Sequence, residues 1–441
     1  MMRGRAFLIL PALCLTVGCG GSVCDEPDVR AVREYISSSW TRTVRENTVG
    51  DSTLIGLPYP YTVPSPEGMF QELYYWDTFF TNEGLIRDGL VSLAEGNVSD
   101  MLYLVERYGF MPNGNRTWYL SRSQPPFLSQ MVDAVFMETG DTLWLSRAFP
   151  VLEREYGFWM RERMTDCGLN RYAGTGADDA LVAEFVETGS RRLKHDFRPE
   201  LTTDAQFDKL GRDFVAEAES GWDMNPRFDR RCGDFCPVDL NSLLYMYERN
   251  FARFSRILGK DEAAAGQWEA LAEKRRGLMT ELMYDSVRGQ FYDYDYVNAR
   301  RSDVLSAAVF TTLFAGLATE EQAASTVGAL ARLESGHGLA VCENRPYGFE
   351  YQWSWPNAWP PVTYMAVEGL ERYGYRDEAV SIAGKYLRTV AASWRRTGKI
   401  WEKYDVVEGV HADGSEYDTP EMLGWSAGTF VTLYEFLKQN I

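Results

Sequence analysis

Hydrophobic residues along this chain recur mostly at three- and four-residue steps, the spacing that places them on one face of an α-helix. About twelve segments show the pattern, and short turns bearing Gly or Asp, such as "ETGD" and "YGYRDE", join most of them in adjacent pairs. The segments are 29–46, 78–90, 100–108, 127–139, 142–163, 240–257, 262–283, 304–317, 320–333, 362–373, 376–396 and 425–438. Paired helices that repeat in this way predict a solenoid or a closed double ring of helices.

The segments between the helix pairs are long, polar and aromatic. Examples are "MPNGNRTWYLSRSQPP", "AEAESGWDMNPRFD" and "YGFEYQWSWPNAWPP". Loops of this length are uncommon in compact domains unless they carry function, so we expect the functional residues there. A groove for an elongated partner is the alternative. One alternating run, Gly289 to Val297, predicts a strand of a small β-hairpin.

Charge and composition narrow the class of ligand. The chain has 441 residues, with 45 Lys and Arg against 63 Asp and Glu, for a net charge of −18. Its field repels polyanions, which argues against nucleic-acid binding and favours a neutral or cationic small molecule. Aromatic residues make up 14% of the chain. Core packing accounts for part of them, and flat rings also suit the C–H faces of sugars.

The N-terminus has the features of an export signal. Arg3 and Arg5 precede an apolar run from Ala6 to Val17, and small residues precede Cys19. Gly18-Cys19 resembles a bacterial lipoprotein processing site. We therefore expect an export segment and short linker over 1–24, a single catalytic domain over 25–441, and a periplasmic or outer-membrane location with membrane anchoring through a lipid on Cys19.

Cysteine and histidine spacing adds little chemistry. In an oxidising compartment Cys232 and Cys236 could pair across "CGDFC" as a local staple. His195, His337 and His411 are scattered, without ligand spacing, so no metal is predicted.

Two carboxylates in aromatic loops are candidates for acid–base chemistry. Asp223 follows Gly221 and Trp222, and its carboxyl can project from a loop beside an indole; a helix-capping role is the alternative. Glu402 lies between Trp401 and a lysine, where a solvated surface ion pair is the alternative. Cleavage of a glycosidic bond needs two carboxyl groups from different parts of a chain. These two residues meet that need.

A set of motifs then resembles a known family. "PEGMFQELYYWDTFF", "MPNGNRTWYLSRSQPPF", "RPE", "ESGWD", "PVDLN", "QWSWPNAWPP", "EKYD" and "GW" follow one another in the order found in the α,α-trehalases, glycoside hydrolase family 37. The resemblance runs from about Pro66 to the last helix. It implies an all-α fold, an (α/α)6 barrel with long catalytic loops. It also implies inverting hydrolysis of trehalose to glucose without a metal or organic cofactor, by a chain we expect to be a monomer.

The resemblance also implies roles for individual residues. Asp223 matches the family's general acid, and Glu402 matches its general base. The residues that match the sugar pocket are Phe70, Trp76, Asp77, Asn113, Arg122, Gln124, Arg198, Glu200, Trp353 and Glu416. Asp77 would accept hydrogen bonds from sugar hydroxyls, with Arg122 and Arg198 as its counter-charges.

Two positions depart from the family pattern. Met69 stands where the family has a pocket arginine, and a thioether cannot donate a hydrogen bond. Ser354 stands where the family has an aspartate. Two alternatives therefore stay open: an inverting α-glycosidase acting on another α-linked disaccharide or glycoside, and a catalytically silent sugar-binding lipoprotein. A helical protein-interaction scaffold would have no reason to keep these motifs together.

Overall fold

The structure, a computed structural model, describes residues 22–412, 419–421 and 423–440. Its α-helices are α1 (Pro27–Ser39), α2 (Tyr75–Arg87), α3 (Val91–Tyr108), α4 (Leu128–Thr139), α5 (Thr142–Glu162), α6 (Asp179–Arg192), α7 (Asp204–Ser220), α8 (Val238–Ile257), α9 (Glu262–Leu282), α10 (Phe310–Phe314), α11 (Glu320–Val327), α12 (Leu330–Leu333), α13 (Pro360–Arg372), α14 (Arg376–Thr397) and α15 (Trp425–Asn440). The helices dominate the fold, as the hydrophobic spacing predicts.

Helix contacts close into a ring. In the described part of the chain, α2 packs on α4, α4 on α8, α8 on α10, α10 on α13, α13 on α15, and α15 returns to α2. A second layer lies outside: α3, α5, α9 and α14 each pack on inner helices next to them in sequence, and α1 packs on α14 and α15. This is the double ring of an (α/α)6 barrel, and the fold class implied by the resemblance is confirmed.

Inner and outer helices differ in how much of their surface is apolar. Helices α2 and α13 are buried on nearly all sides, which is possible only for a helix surrounded by other helices. Helix α9 buries only one stripe, formed by Ala265, Ala272, Arg275 and Met279. The width of the apolar face in the sequence of each helix therefore distinguishes inner helices from outer ones.

Two glycines set the contact that closes the ring. A Cβ built on Gly84 of α2 would lie 2.7 Å from the Cα of Gly428 of α15. A Cβ on Gly428 would overlap the carbonyl oxygen of Phe80. The two backbones approach so closely that neither position has room for a side chain.

The strands are short and antiparallel. They are β1 (Val44–Arg45), β2 (Tyr61–Thr62), β3 (Phe235–Cys236), β4 (Tyr284–Asp285), β5 (Gln290–Phe291), β6 (Tyr294–Asp295), β7 (Arg300–Arg301), β8 (Glu334–Ser335), β9 (Gly338–Leu339), β10 (Asn357–Ala358), β11 (Tyr404–Asp405) and β12 (Val410–His411). Two of the sheets have three strands, β3–β6–β7 and β10–β11–β12, and the remaining strands form the two-stranded sheets β1–β2, β4–β5 and β8–β9. The run 289–297, predicted to be a hairpin strand, contains two strands, β5 and β6, which pair in separate hairpins with β4 and β7.

Several helix predictions need correction. Only α10 of the predicted segment 304–317 is α-helical, after a 3-10 turn over Ala307–Val309. Segment 320–333 is divided into α11 and α12 around Gly328, and α3 begins at Val91 rather than at 100. Helices α6 and α7, which pack on each other, were not among the predicted segments. Their apolar positions are diluted by charged residues, which weakens the periodic pattern.

One main hydrophobic core connects the two helical layers, while several buried apolar residues of α6 and α7 belong to smaller clusters. Buried apolar side chains in mutual contact run from Cys24 to Leu437 and include residues of both helical layers. None of the helices described by the structure combines the length and apolarity needed to cross a membrane.

Candidate active site

A cavity of about 530 Å³ opens where the loops of the barrel meet α6. Its walls come from distant parts of the chain, including the start of α2, the loop before α4, the turn after α7 and the segment before β11. Cavities of roughly 300–1,000 Å³ are typical of small-molecule sites. The barrel thus gathers its long loops around one site of suitable size.

Tryptophans packed on one another form part of the cavity lining. The rings of Trp353 and Trp359 stack with centroids 3.8 Å apart and planes 8° from parallel. Trp222 also stacks on Trp353, with centroids 5.1 Å apart, and Trp76 and Trp425 meet edge to face at 5.8 Å. Because the indoles hold one another in place, the cavity presents rigid aromatic surface suited to the apolar face of a sugar ring.

Asp223 reaches the cavity from a strained turn. Helix α7 is followed by Gly221, whose φ is 72°, and Met224 just after the aspartate has a φ of 51°. A left-handed non-glycine residue is uncommon and often marks a functional site. The Asp223 carboxylate lies 3.0 Å from the Nη1 atom of Arg192, and 34% of its side chain remains exposed. It is therefore within reach of a ligand in the cavity.

Glu402 comes from a different part of the chain from Asp223, the segment between α14 and β11. Its side chain is only 2% exposed, and its Oε2 atom lies 3.1 Å from the Nζ atom of Lys403. The Nε1 atom of Trp425 donates a hydrogen bond to the Glu402 carbonyl at 3.0 Å. The pair with Lys403 is thus buried rather than solvated, which removes the surface-pair alternative considered from the sequence.

Asp77 is a third acidic group at this site. It lies in the first turn of α2, lines the cavity and is buried. Burial, helped by the nearby charges of Glu402 and Asp223, raises the pKa of Asp77 to about 8. At neutral pH Asp77 is therefore protonated, and its carboxyl can donate as well as accept a hydrogen bond.

Arg122 and Gln124 come from the loop that carries "RSQPP". Arg122 is buried between the rings of Tyr119 and Phe185, each 5.2 Å from its guanidinium, and burial lowers its pKa. Within the described residues its Nε atom has no hydrogen-bond partner. The Oε1 atom of Gln124 accepts a hydrogen bond from the backbone N–H of Trp76 at 3.3 Å. The loop thereby offers the cavity a charged donor and an amide.

A buried glutamate joins this loop to the turn of Asp223. Glu219, near the end of α7, accepts hydrogen bonds from the backbone N–H groups of Ser123 and Ala173, both at 2.9 Å. It also pairs with Arg163, 2.8 Å away. One side chain therefore ties the loop of Arg122 and Gln124, which lines the cavity, to the helix that precedes Asp223.

The cavity gathers most of the residues implied by the family resemblance. Those that line it are Asp223, Glu402, Phe70, Trp76, Asp77, Asn113, Arg122, Gln124 and Trp353. Glu416 lies outside the described residues, as does Cys19.

Arg198 and Glu200 do not line this cavity. They lie on an exposed 3-10 turn in which Glu200 pairs with His195, and the Arg198 backbone N–H donates a hydrogen bond to Asp196. The pocket roles expected for Arg198 and Glu200 therefore stay predictions, since neither residue is part of the cavity lining in this structure.

The two departures from the family pattern also lie outside the cavity lining. Met69 is 46% exposed, whereas its neighbour Phe70 lines the cavity. Ser354 is buried and lines a different cavity.

One wall of the cavity was not foreseen from the sequence. Helix α6 contributes Leu181, Glu184, Phe185, Thr188, Arg191 and Arg192. Their spacing of three and four residues is the signal that could have revealed this helix face. Arg192 has the most direct chemical consequence, because it pairs with Asp223.

No three His, Cys, Asp or Glu side chains come together as a metal site in the described ranges. What the cavity does combine is separate carboxylates, rigid indoles and charged donors, a combination suited to acid–base chemistry on a sugar linkage.

Comparison with known proteins agrees with this interpretation. A family model described as Trehalase matches residues 21–438. The periplasmic trehalase of Xanthomonas campestris pv. campestris is 35% identical over 430 residues, which cover 91% of this chain and 73% of that protein. The neutral trehalase of Saccharomyces cerevisiae has a similar structure, with a TM-score of 0.73 at 29% identity, covering 93% of this chain and 80% of that one.

A more distant structure shares only the fold. The mannosylglycerate hydrolase of Thermus thermophilus has a TM-score of 0.63 at 19% identity, over 92% of this chain and 100% of that one. The protein is thus a glycoside hydrolase, as its barrel and paired carboxylates indicate. More narrowly, it belongs to the trehalase family. The family recognised from the sequence motifs is confirmed.

Proposed function

We propose that this protein hydrolyses α,α-trehalose to glucose with inversion at one anomeric carbon. Glu402 accepts a proton from a water molecule as that water attacks the anomeric carbon, and Asp223 donates a proton to the departing glycosidic oxygen. The bond from the anomeric carbon to the bridging oxygen breaks while the bond to water forms on the opposite face. The observation that carries the proposal is the meeting of Asp223 and Glu402, far apart in sequence, in one cavity.

The other side chains of the cavity bind and orient the sugars. Trp353 and Trp76 supply flat apolar faces, while Arg122, Gln124 and Asn113 supply donors for hydroxyl groups. Asp77, protonated at neutral pH, adds a group that both donates and accepts. Relatives named periplasmic trehalase support the choice of trehalose as the substrate.

Product stereochemistry tests the proposal directly. Inversion at one anomeric carbon of α,α-trehalose releases one β-glucose and one α-glucose, and proton NMR during early turnover resolves the two anomers before they equilibrate. We expect the anomers in equal amounts. Release of α-glucose alone would require retention, in which the two carboxyl groups stand roughly 5–5.5 Å apart rather than 6.5–9.5 Å. Absence of glucose release from trehalose would refute the substrate.

A different α-linked sugar is the second candidate function, and the family departures Met69 and Ser354 motivate it. Neither residue lines the cavity described here, which favours trehalose over the alternative. Rates of glucose release from a panel of α-linked disaccharides decide between them.

We also propose that the chain is exported to the periplasm and anchored through a lipid on Cys19, with residues 25–441 forming one catalytic domain. The name of the Xanthomonas relative supports export, and the continuous core supports one domain. Fractionation of cells tests location. We expect membrane association that Cys19→Ser abolishes, whereas wild-type protein in the cytosol with its N-terminus intact would refute export.

A further inference from the structure

Two cysteines far apart in sequence meet beside the barrel. The Sγ atoms of Cys167 and Cys236 lie 3.7 Å apart, although 69 positions separate the two residues. The Oγ1 atom of Thr165 lies 3.1 Å from the first sulfur and 3.5 Å from the second. Two thiols and one hydroxyl therefore share a single small cluster.

Both backbones at this cluster are held by hydrogen bonds. Cys167 lies in a tight turn in which the backbone N–H of Thr165 donates to the carbonyl of Leu169 at 2.9 Å. Cys236 belongs to β3, which pairs with β6. The approach of the two sulfurs is thus fixed by local structure on each side and does not depend on a mobile loop.

We propose that Cys167 and Cys236 form a disulfide when a small-molecule or protein disulfide oxidises the folded protein. A disulfide has an S–S distance of about 2.05 Å, so the sulfurs have to approach by roughly 1.7 Å, a movement that two side-chain rotations can share. The bond differs from the Cys232–Cys236 staple expected from "CGDFC". In the structure the cysteines of the described residues are free thiols, and Cys236 has Cys167 as a sulfur neighbour.

The cluster also determines the order of the chemical steps. Cys167 is half-buried and Cys236 is buried, so an incoming disulfide meets Cys167 first. The hydrogen bond from Cys236 lowers the pKa of Cys167 to about 6, and the thiolate is the form that attacks a disulfide.

The steps balance as two exchanges. The Cys167 thiolate attacks one sulfur of the incoming disulfide, forming a mixed disulfide and expelling one thiolate. Cys236 then loses its proton and attacks the Cys167 sulfur, expelling the second thiolate. Two electrons pass from the cysteines to the oxidant, and the two expelled thiolates take up the two cysteine protons, so the oxidant ends as two thiols.

The position of this bond gives it a consequence for the active site. The chain between the two cysteines contains α6, α7 and the turn of Asp223. A disulfide at its two ends would restrict how far this segment can separate from the barrel in partly unfolded states. We therefore expect oxidation to stabilise the part of the fold that carries one wall of the cavity.

Disulfide mapping tests the proposal on the full protein. The reduced protein is incubated with oxidised glutathione at neutral pH, its remaining thiols are alkylated, and its peptides are identified by mass spectrometry. We expect a peptide pair joined through Cys167 and Cys236, with Cys24, Cys232 and Cys342 alkylated. Complete alkylation, a stable glutathione adduct on Cys167, or a Cys232–Cys236 bond would each overturn it.

Variants add a matched comparison. Cys232→Ser should keep the cross-link, whereas Cys167→Ser should lose it. Oxidation should raise the Tm of the wild type and of Cys232→Ser and leave that of Cys167→Ser unchanged. Equal Tm values for oxidised and reduced wild type would contradict the stabilising role, and mapping of the wild type needs no variant to fold.

Discussion

The guanidinium of Arg192 lies 3.0 Å from the carboxylate of Asp223, which joins the unforeseen helix α6 to the proposed general acid. Both side chains line the cavity. A ligand that engages Asp223 therefore meets Arg192 as well, and we expect the arginine to donate hydrogen bonds to sugar hydroxyls.

Arg192→Gln should lower kcat/KM on trehalose by about tenfold or more, because a hydrogen bond to a charged group contributes roughly 1.5–3 kcal/mol. Initial rates of glucose release over a range of trehalose concentrations measure the change. The control is Arg395→Gln, which removes an exposed arginine paired with Asp28 outside the cavity. Equal losses in the two variants would contradict a specific role for Arg192.

Replacing either proposed catalytic carboxylate should abolish most activity without disturbing the fold. Asp223→Asn and Glu402→Gln keep the side-chain shapes but remove the proton donor and the base, so each should lower kcat by roughly a hundredfold or more. Circular dichroism and Tm should stay close to wild type. Glu408→Gln, an exposed acid six residues after Glu402, is the matched control. A folded variant of Asp223 or Glu402 with near-normal turnover would refute its role.

Asp77 should make stability depend on pH. Its pKa is about 8 in the folded protein, whereas an unfolded aspartate titrates near 4. Between these values only the unfolded state releases the proton, so the free energy of unfolding should fall as pH rises, by up to about 1.4 kcal/mol per pH unit. Asp77→Asn has no carboxyl to titrate at this position, so its stability should lack this contribution to the pH dependence.

Denaturant unfolding of both proteins between pH 4 and pH 8 tests this expectation about Asp77. The difference in unfolding free energy between Asp77→Asn and wild type should shift in favour of the variant as pH rises. Parallel pH profiles would show that Asp77 is already ionised in the folded protein.

Met69→Arg should change kcat/KM on trehalose by no more than about two- to threefold, since an exposed side chain outside the cavity lining contributes little to binding. The variant keeps Ser354, so any change in kcat/KM reports on residue 69 alone. A clear gain on trehalose would show that residue 69 enters the pocket when substrate binds, as the family pattern implies.

Gly428→Ala should destabilise the barrel by about 3 kcal/mol or more, because the added Cβ has to displace the backbone of α2 at Phe80. Thermal unfolding measures the loss. Gly266→Ala on α9 is the matched control, since nothing lies within 4 Å of the added atom there. That control should raise stability slightly through the helix propensity of alanine. Similar Tm values for the two variants would contradict the close approach of α2 and α15.

The sequence predicted what depends on local pattern. Inner helices such as α4 and α8 carry dense apolar faces, and their bounds agree with the prediction within two residues. Helix α6 was missed because its apolar residues face a cavity and a small cluster, and acidic residues are interspersed among them. Motifs located Asp223 and Glu402, but no local signal could place Arg192 beside Asp223 or Cys167 beside Cys236. Those contacts depend on how separate loops meet in three dimensions.

The contact between α2 and α15 also bears on when the chain can fold. These helices are near opposite ends of the chain, and the ring is not closed until the second has docked on the first. Contacts between distant segments form slowly, because the loop between them must first be ordered. While the chain is being synthesised, its N-terminal helices lack the partner that completes their burial. Delayed closure of this kind would keep the polypeptide loosely structured until its last helix has been made and has docked.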